Sequence, residues 1–146
     1  VQAAGGLHAF LGSYSKPLIT DSGGFQVFSL LEKQSSNQDE KDEKDQLKGQ
    51  RNISSKFKKY TRLIDHINER GVAFRNYLNN SRILLTPESS IQAQKKLGAD
   101  LIIPLDILHS SVAPETHQKE MLDRTHRWQT RSLFEHMMQP PTTQQM

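Results

Sequence analysis

Two aspartates stand where chemistry could be done. Asp21 follows the short apolar stretch that begins at Leu18-Ile19, and Asp106 closes the run "ADLIIPLD", Ala99–Asp106. Directly after Asp21 come Ser22, Gly23, Gly24 and Phe25. An ionised carboxylate accepts hydrogen bonds on two oxygens and can take up a proton. Glycine lets backbone N–H groups approach a ligand with no Cβ in the way, and Phe25 offers a flat face. Acid, bare amides and an aromatic plane together suit a planar, polar ligand such as a nucleobase. Each feature also has a plainer reading. An Asp at a strand–helix junction caps the helix, and Ser22 could do the same for Phe25–Leu31. The glycine pair also reads as a strained turn beside a core phenylalanine. Pattern alone favours the cap for Asp21 and leaves Asp106 evenly open. A phosphate-binding glycine loop fits less well, because no lysine follows in the P-loop position. His8, His66, His109, His117, His126 and His136 show no metal-ligand spacing and read as surface or packing residues.

The elements that must position these acids follow from the pattern around them. Pro17 fixes the entry to a short strand, Leu18–Thr20, which Gly23-Gly24 break. Phe25, Phe28, Leu30 and Leu31 predict a short helix or an irregular apolar turn. The near-continuous apolar run at 99–106 predicts a parallel strand buried on both faces. Both acids then sit just past the C-terminal ends of buried strands, the edge where parallel α/β sheets and barrels carry their sites. They are therefore expected to face one pocket. "GVAFRNYLNNSRILLTP", Gly71–Pro87, alternates on both sides of Asn79-Asn80 and predicts a β-hairpin. Thr86, Pro87 and Glu88 open a helix with a capping hydroxyl, a proline at its first position and an acid in its first turn, and Gly98 stops it. After a polar loop, a long helix is predicted from about Pro114 to His136. Met121, Leu122, Trp128, Leu133 and Met137 form its apolar side, and Pro140-Pro141 end it.

Composition narrows the class. The chain has 146 residues, enough for one domain with a core, and a hydrophobic fraction of 34%. Most of that low value comes from Glu32 to about Gln50, a charged, Gln- and Ser-rich stretch with one aliphatic residue. Such a segment buries too little apolar surface to hold a fixed fold and reads as a flexible, poorly ordered insertion. A net charge of +3 permits a nucleic-acid partner without demanding one. The absence of cysteine removes disulfides and thiolate zinc sites and fits a reducing compartment. No run approaches the length of a membrane span, no signal peptide is visible, and the missing initiator methionine makes the chain read as a piece of something longer.

Several linked motifs together resemble the tRNA-guanine transglycosylase family, also called queuine tRNA-ribosyltransferases. "KPLITDSGGFQVFSL" (16–30) is similar to its signature. "INERGVAFRNYLNNSRILLTPESSIQAQKKLGAD" (67–100), "IIPLD" (102–106) and "DRTHRW" (123–128) follow in the family's order, and "GLHAFLG" (6–12) fits the segment just upstream. The insertion and the "PLD" wording look most like chlamydial-type bacterial members. The resemblance implies an α/β fold: a partial (β/α)8 TIM barrel with an added β-hairpin. It divides the chain into a first barrel segment (1–31), a charged insertion (32–62) and a stretch of hairpin, helix, strand and long helix (63–146) of one incomplete domain. It implies exchange of guanine for a deazaguanine, queuine or its precursor, at the wobble position of a tRNA anticodon. Asp21 matches the proton acceptor. Ser22, Gly23, Gly24 and Phe25 match the base-binding loop, with Phe25 stacking on the base, and Asp106 matches the acid that reads the guanine edge. The attacking aspartate and a zinc site belong to the missing C-terminal part, so no cofactor is expected in this chain and the chain alone is expected to be inactive. The partners implied are tRNA and the free base, with a homodimer in the full-length protein, in the cytoplasm. One departure lies inside the match: bacterial members often carry Glu-Cys after the reading acid, and here Ile107-Leu108 replace those polar groups. Two other readings compete, a non-catalytic tRNA-binding partner subunit or degenerate relative on the same barrel, and an unrelated α/β domain whose acids are caps. The linked motifs weigh against the second, and the presence of both acids weighs against the first.

Overall fold

The computed structural model describes residues 1–12, 16–27, 29, 64–76, 78–108, 113–138 and 144–146. The predicted flexible insertion, 32–62, lies outside them. The described residues form two compact units, Val1–Phe25 with Leu85–Met146, and Gln26–Leu84.

The first unit is mixed α/β. After a 3₁₀ turn (Gln2–Ala4) comes the short helix α1 (Leu7–Leu11), ended by Gly12 in the left-handed conformation. Strand β1 is Ile19–Thr20. Asp100 fixes its start: one carboxylate oxygen accepts the Leu18 N–H at 2.7 Å and meets His8 Nε2 of α1 at 2.8 Å. The Leu18 amide holds the Asp100 carboxyl below its usual range, against burial, and His8 adds to the effect.

Helix α2 (Pro87–Leu97) starts and stops where its sequence dictates. Thr86 Oγ1 accepts from Ser89 N–H, and Ser89 Oγ accepts from Thr86 N–H, which completes a capping box. Gly98, at φ 73°, terminates the helix and donates its N–H to the Gln94 and Lys95 carbonyls. Helix α3 (Glu115–Met138) packs against α2. Arg131 joins the two through a bidentate pair with Glu88, at 2.6 and 2.8 Å. That pair holds the Glu88 carboxyl below its usual range against burial. The buried stripe of α3 is Met121, Thr125, Trp128 and Ser132. The predicted apolar side is therefore only partly right, because Leu122, Leu133 and Met137 are exposed. The spacing of the stripe explains the difference: it follows the face that meets α2, and polar Thr125 and Ser132 occupy it.

The last strand of this unit is shorter than its sequence suggests. The run at 99–106 predicts a long strand buried on both faces, but β5 is Leu101–Ile102, named after the three strands described next. Ile102 and Leu105 are buried, whereas Leu101 and Ile103 are exposed. The ladder ends for a physical reason. Ile103 N–H donates to Gln94 Oε1 and the Ile103 carbonyl accepts from Gln94 Nε2, and Pro104 has no N–H to offer. β1 and β5 pair in parallel, Ile19 with Leu101 and Thr20 with Ile102. On the other side of β5, Gln145 forms a parallel bridge with Leu101. Ile91, Ala99 and Ile102 form a buried cluster, with Leu7 of α1 packed on it.

The second unit holds three strands in the order β2 (Ile64–Asn68), β3 (Gly71–Arg75), β4 (Arg82–Leu85), the last of which ends at the unit's edge. The predicted hairpin is β3–β4, and Asn80 takes the positive φ, 57°, that its turn requires. β2 is an addition to the sequence reading. It runs antiparallel to β3 with a bulge between Ile64 and His66, and that bulge breaks the alternation that would have marked it as a strand. Asp65, in the bulge, binds Arg82 at 2.7 Å and Arg75 at 3.3 Å.

Candidate functional site

Asp21 and Asp106 both lie beyond the C-terminal ends of β1 and β5, which are neighbours and parallel. Both acids follow the same edge of this two-stranded ladder, Asp21 directly after Thr20 and Asp106 beyond a turn that starts after Ile102. The loop after β1 turns at Gly23, with φ 91°. Residues 24–27 then take a helical turn. Gly24 N–H, at the start of that turn, donates to Ser22 Oγ at 3.2 Å. Asp21 is exposed, with Oδ1 accepting from the Ser22 N–H at 2.8 Å. Ser22 is buried, and its carbonyl accepts from Ser90 Oγ of α2 at 3.1 Å. Phe25 is 60% exposed at the mouth of the loop, not part of a core.

Gly24 is the contact between the two acid-bearing loops. A Cβ built there would collide with Asp106 Oδ1 and come within 3.0 Å of the Asp106 carbonyl oxygen. The glycine is thus required for close approach. Gly24→Ala is expected to push the Asp106 loop away and to shift the amide resonances of residues 105–107 as much as those of 23–25. Unmoved resonances at Ile107 would show that the loops do not touch.

Asp106 is partly buried. Burial pushes its carboxyl above the ordinary range, its own backbone N–H opposes that, and the charge of Asp21 adds to the upward push. The folded state holds this proton more tightly than the unfolded state, so ionised Asp106 costs stability at pH above its raised value, and stability returns as pH falls. Beyond Asp106, Ile107 N–H donates to Thr125 Oγ1 of α3 at 3.0 Å. Ile107 is partly buried and Leu108 is exposed.

Two contributors were not singled out from sequence. His8, read as a surface or packing residue, holds Asp100. Gln94, inside the helix predicted between Pro87 and Gly98, is buried and reaches both strand ends. Neither has a local signal, because their partners lie far away in the chain. No helix among the described residues is long and apolar enough to cross a membrane.

This geometry can be set beside known proteins. A family model described as Queuine tRNA-ribosyltransferase matches residues 1–64 and 52–146. Among curated proteins, a queuine tRNA-ribosyltransferase of Protochlamydia amoebophila is 48% identical over 140 residues, covering 96% of this chain and 33% of that protein. Those of Chlamydia trachomatis serovar L2 and Chlamydia muridarum are 40% and 41% identical, each over 96% of this chain and 34% of theirs. The chain spans about a third of the length of the curated relatives it matches. With a family match along both halves of the sequence and the acids set on one sheet edge, the chain belongs to the queuine tRNA-ribosyltransferase family.

Proposed function

We propose that this chain forms the base-reading portion of a tRNA-guanine transglycosylase, built on part of a (β/α)8 barrel. The observation that carries the reading is the meeting of the Asp21–Phe25 loop with Asp106 beyond two adjacent parallel strands. The parallel bridge at Gln145 supports the barrel, since it adds a third parallel position beside β5.

The chemistry accepts these roles. Guanine offers N1–H and an exocyclic amine as adjacent donors, and the two oxygens of an ionised Asp106 can meet both. A base taken from an RNA loses its stacking, and an exposed aromatic face returns about 1–3 kcal/mol per base. Phe25 has the exposure for that. Asp21, exposed beside the same loop, can accept the proton that must leave the ring nitrogen of an incoming base. The attack on the sugar requires a carboxylate from residues outside this chain. Among the described residues no cluster of His, Asp or Glu could hold the zinc that the family implies.

The test is incorporation of labelled guanine into a substrate tRNA by a hybrid in which residues 1–146 replace the matching third of the Protochlamydia relative. Incorporation by the hybrid, with none by residues 1–146 alone, is the expected result. A folded hybrid that binds tRNA but exchanges nothing, beside an active parent, would favour the non-catalytic partner reading.

A further inference from the structure

The β1–β5 ladder ends at Thr20 and Ile102, before either acid. Past that point one side chain on α2 bonds to both strand exits. Gln94 is 3% exposed, and its amide has all four hydrogen-bonding positions occupied. Its Oε1 accepts from Thr20 Oγ1 at 2.9 Å and from Ile103 N–H at 3.0 Å. Its Nε2 donates to the Ile103 carbonyl at 2.8 Å and to Ser90 Oγ at 3.3 Å. Ser90 Oγ in turn donates to the Ser22 carbonyl. An amide has two donor hydrogens and two acceptor lone pairs, so this set leaves it one orientation only. A flipped amide would turn donors toward the Ile103 N–H and an acceptor toward the Ile103 carbonyl.

These partners bracket the two acids. Thr20 and Ser22 flank Asp21, and Ile103 begins the turn that delivers Asp106. We propose that Gln94 is a positioning residue, whose side-chain amide ties the exit of β1 to the exit of β5 and thereby sets the spacing of Asp21 and Asp106. Its counterpart at the opposite end of the strands is Asp100, which receives Leu18 N–H and His8. Leucine or methionine at position 94 would fill the same volume. Neither would hold the Ile103 peptide, and the partly buried N–H and carbonyl left behind would pull the loop toward water.

That the two acids serve a base pocket rests on the reading above, but their spacing does not. The experiment therefore reads spacing directly. Residues 1–146 are labelled with carbon-13 at the aspartate carboxyls, and each aspartate is titrated by NMR in the wild type, in Gln94→Met and in Ser90→Ala. Asp21 is the charged group whose field reaches Asp106, so parting the loops weakens both that field and the burial. The Asp106 midpoint is expected to fall toward the ordinary carboxylate range in Gln94→Met, and by less in Ser90→Ala, which cuts only the link to Ser22. The midpoint of Asp65, in the other unit, should stay in place. Emission from buried Trp128 reports whether each variant keeps its fold. An unchanged Asp106 midpoint in either variant that keeps wild-type Trp128 emission would overturn the proposal and leave Gln94 a fold stabiliser. Base exchange by the hybrid can fail while this titration succeeds, and the reverse, so the two claims are separable.

Discussion

Asp21→Asn in the hybrid enzyme is expected to abolish base exchange and leave tRNA binding nearly intact. Asparagine keeps the size and one acceptor oxygen, so the hydrogen bond from Ser22 N–H survives. It cannot take up a proton at neutral pH. Removing a positioned acid–base group costs about 10²- to 10⁴-fold in rate. Binding should hold because most contacts of a nucleic-acid complex go to phosphate and sugar, which position the partner without touching the reacting base. The distinction matters because Asp21 has a rival reading as a helix cap. Gly24 N–H, at the start of the helical turn, is already bonded to Ser22 Oγ, so a cap role for Asp21 predicts a small stability loss and normal exchange. Guanine incorporation and a filter-binding isotherm, measured on the same preparation, separate the two. Undiminished incorporation would return Asp21 to a purely local role.

Trp128→Ala should be the most damaging change to the fold of this chain. Trp128 is fully buried on the α3 face that meets α2, between Thr125 and Ser132. Truncating a buried tryptophan to alanine costs about 3–5 kcal/mol, through lost transfer energy and the cavity left behind. A domain of this size holds only about 5–15 kcal/mol in total, so the variant should melt on the order of 10 °C lower. Circular dichroism serves as the probe, since the sole tryptophan is removed. Trp128→Phe keeps most of the volume and should lose much less. A fall of only two or three degrees in Trp128→Ala would mean that the α2–α3 contact contributes little to stability.

How far the sequence could be read depended on how local each signal was. Helix α2 was legible almost to the residue, because Thr86, Pro87 and Gly98 act within one turn of themselves. The β3–β4 hairpin was legible because asparagine tolerates the φ that Asn80 adopts. The pairing of Asp21 with Asp106 on one sheet edge was legible from two apolar runs that each end in an acid. Strand β2 was not, because the Asp65 bulge breaks its alternation. The buried stripe of α3 was misjudged because hydrophobicity pointed to Leu122 and Leu133, while helix geometry buried Thr125 and Ser132. Gln94 was beyond reach: a glutamine on a helix looks solvated, and nothing nearby reveals partners such as Thr20, 74 residues away.

The parallel pairing of β1 with β5 also bears on how the chain folds and how it can change length. The bond from Leu18 to Asp100 joins residues 82 apart. Helix α2 and β5 meet through neighbours in sequence, so they can assemble early, whereas β1 must find β5 by closing a long loop. Contacts of this separation slow folding. The closure entropy grows only with the logarithm of loop length, so doubling the loop costs about 0.6 kcal/mol. Insertions or deletions between the two strands are therefore thermodynamically cheap, provided the strand ends keep their partners. A one-residue slip within Leu18–Asp21 is a different matter: it would turn the acid to the opposite face of the sheet. The site tolerates variation in the length of the chain that closes it far better than variation in its register.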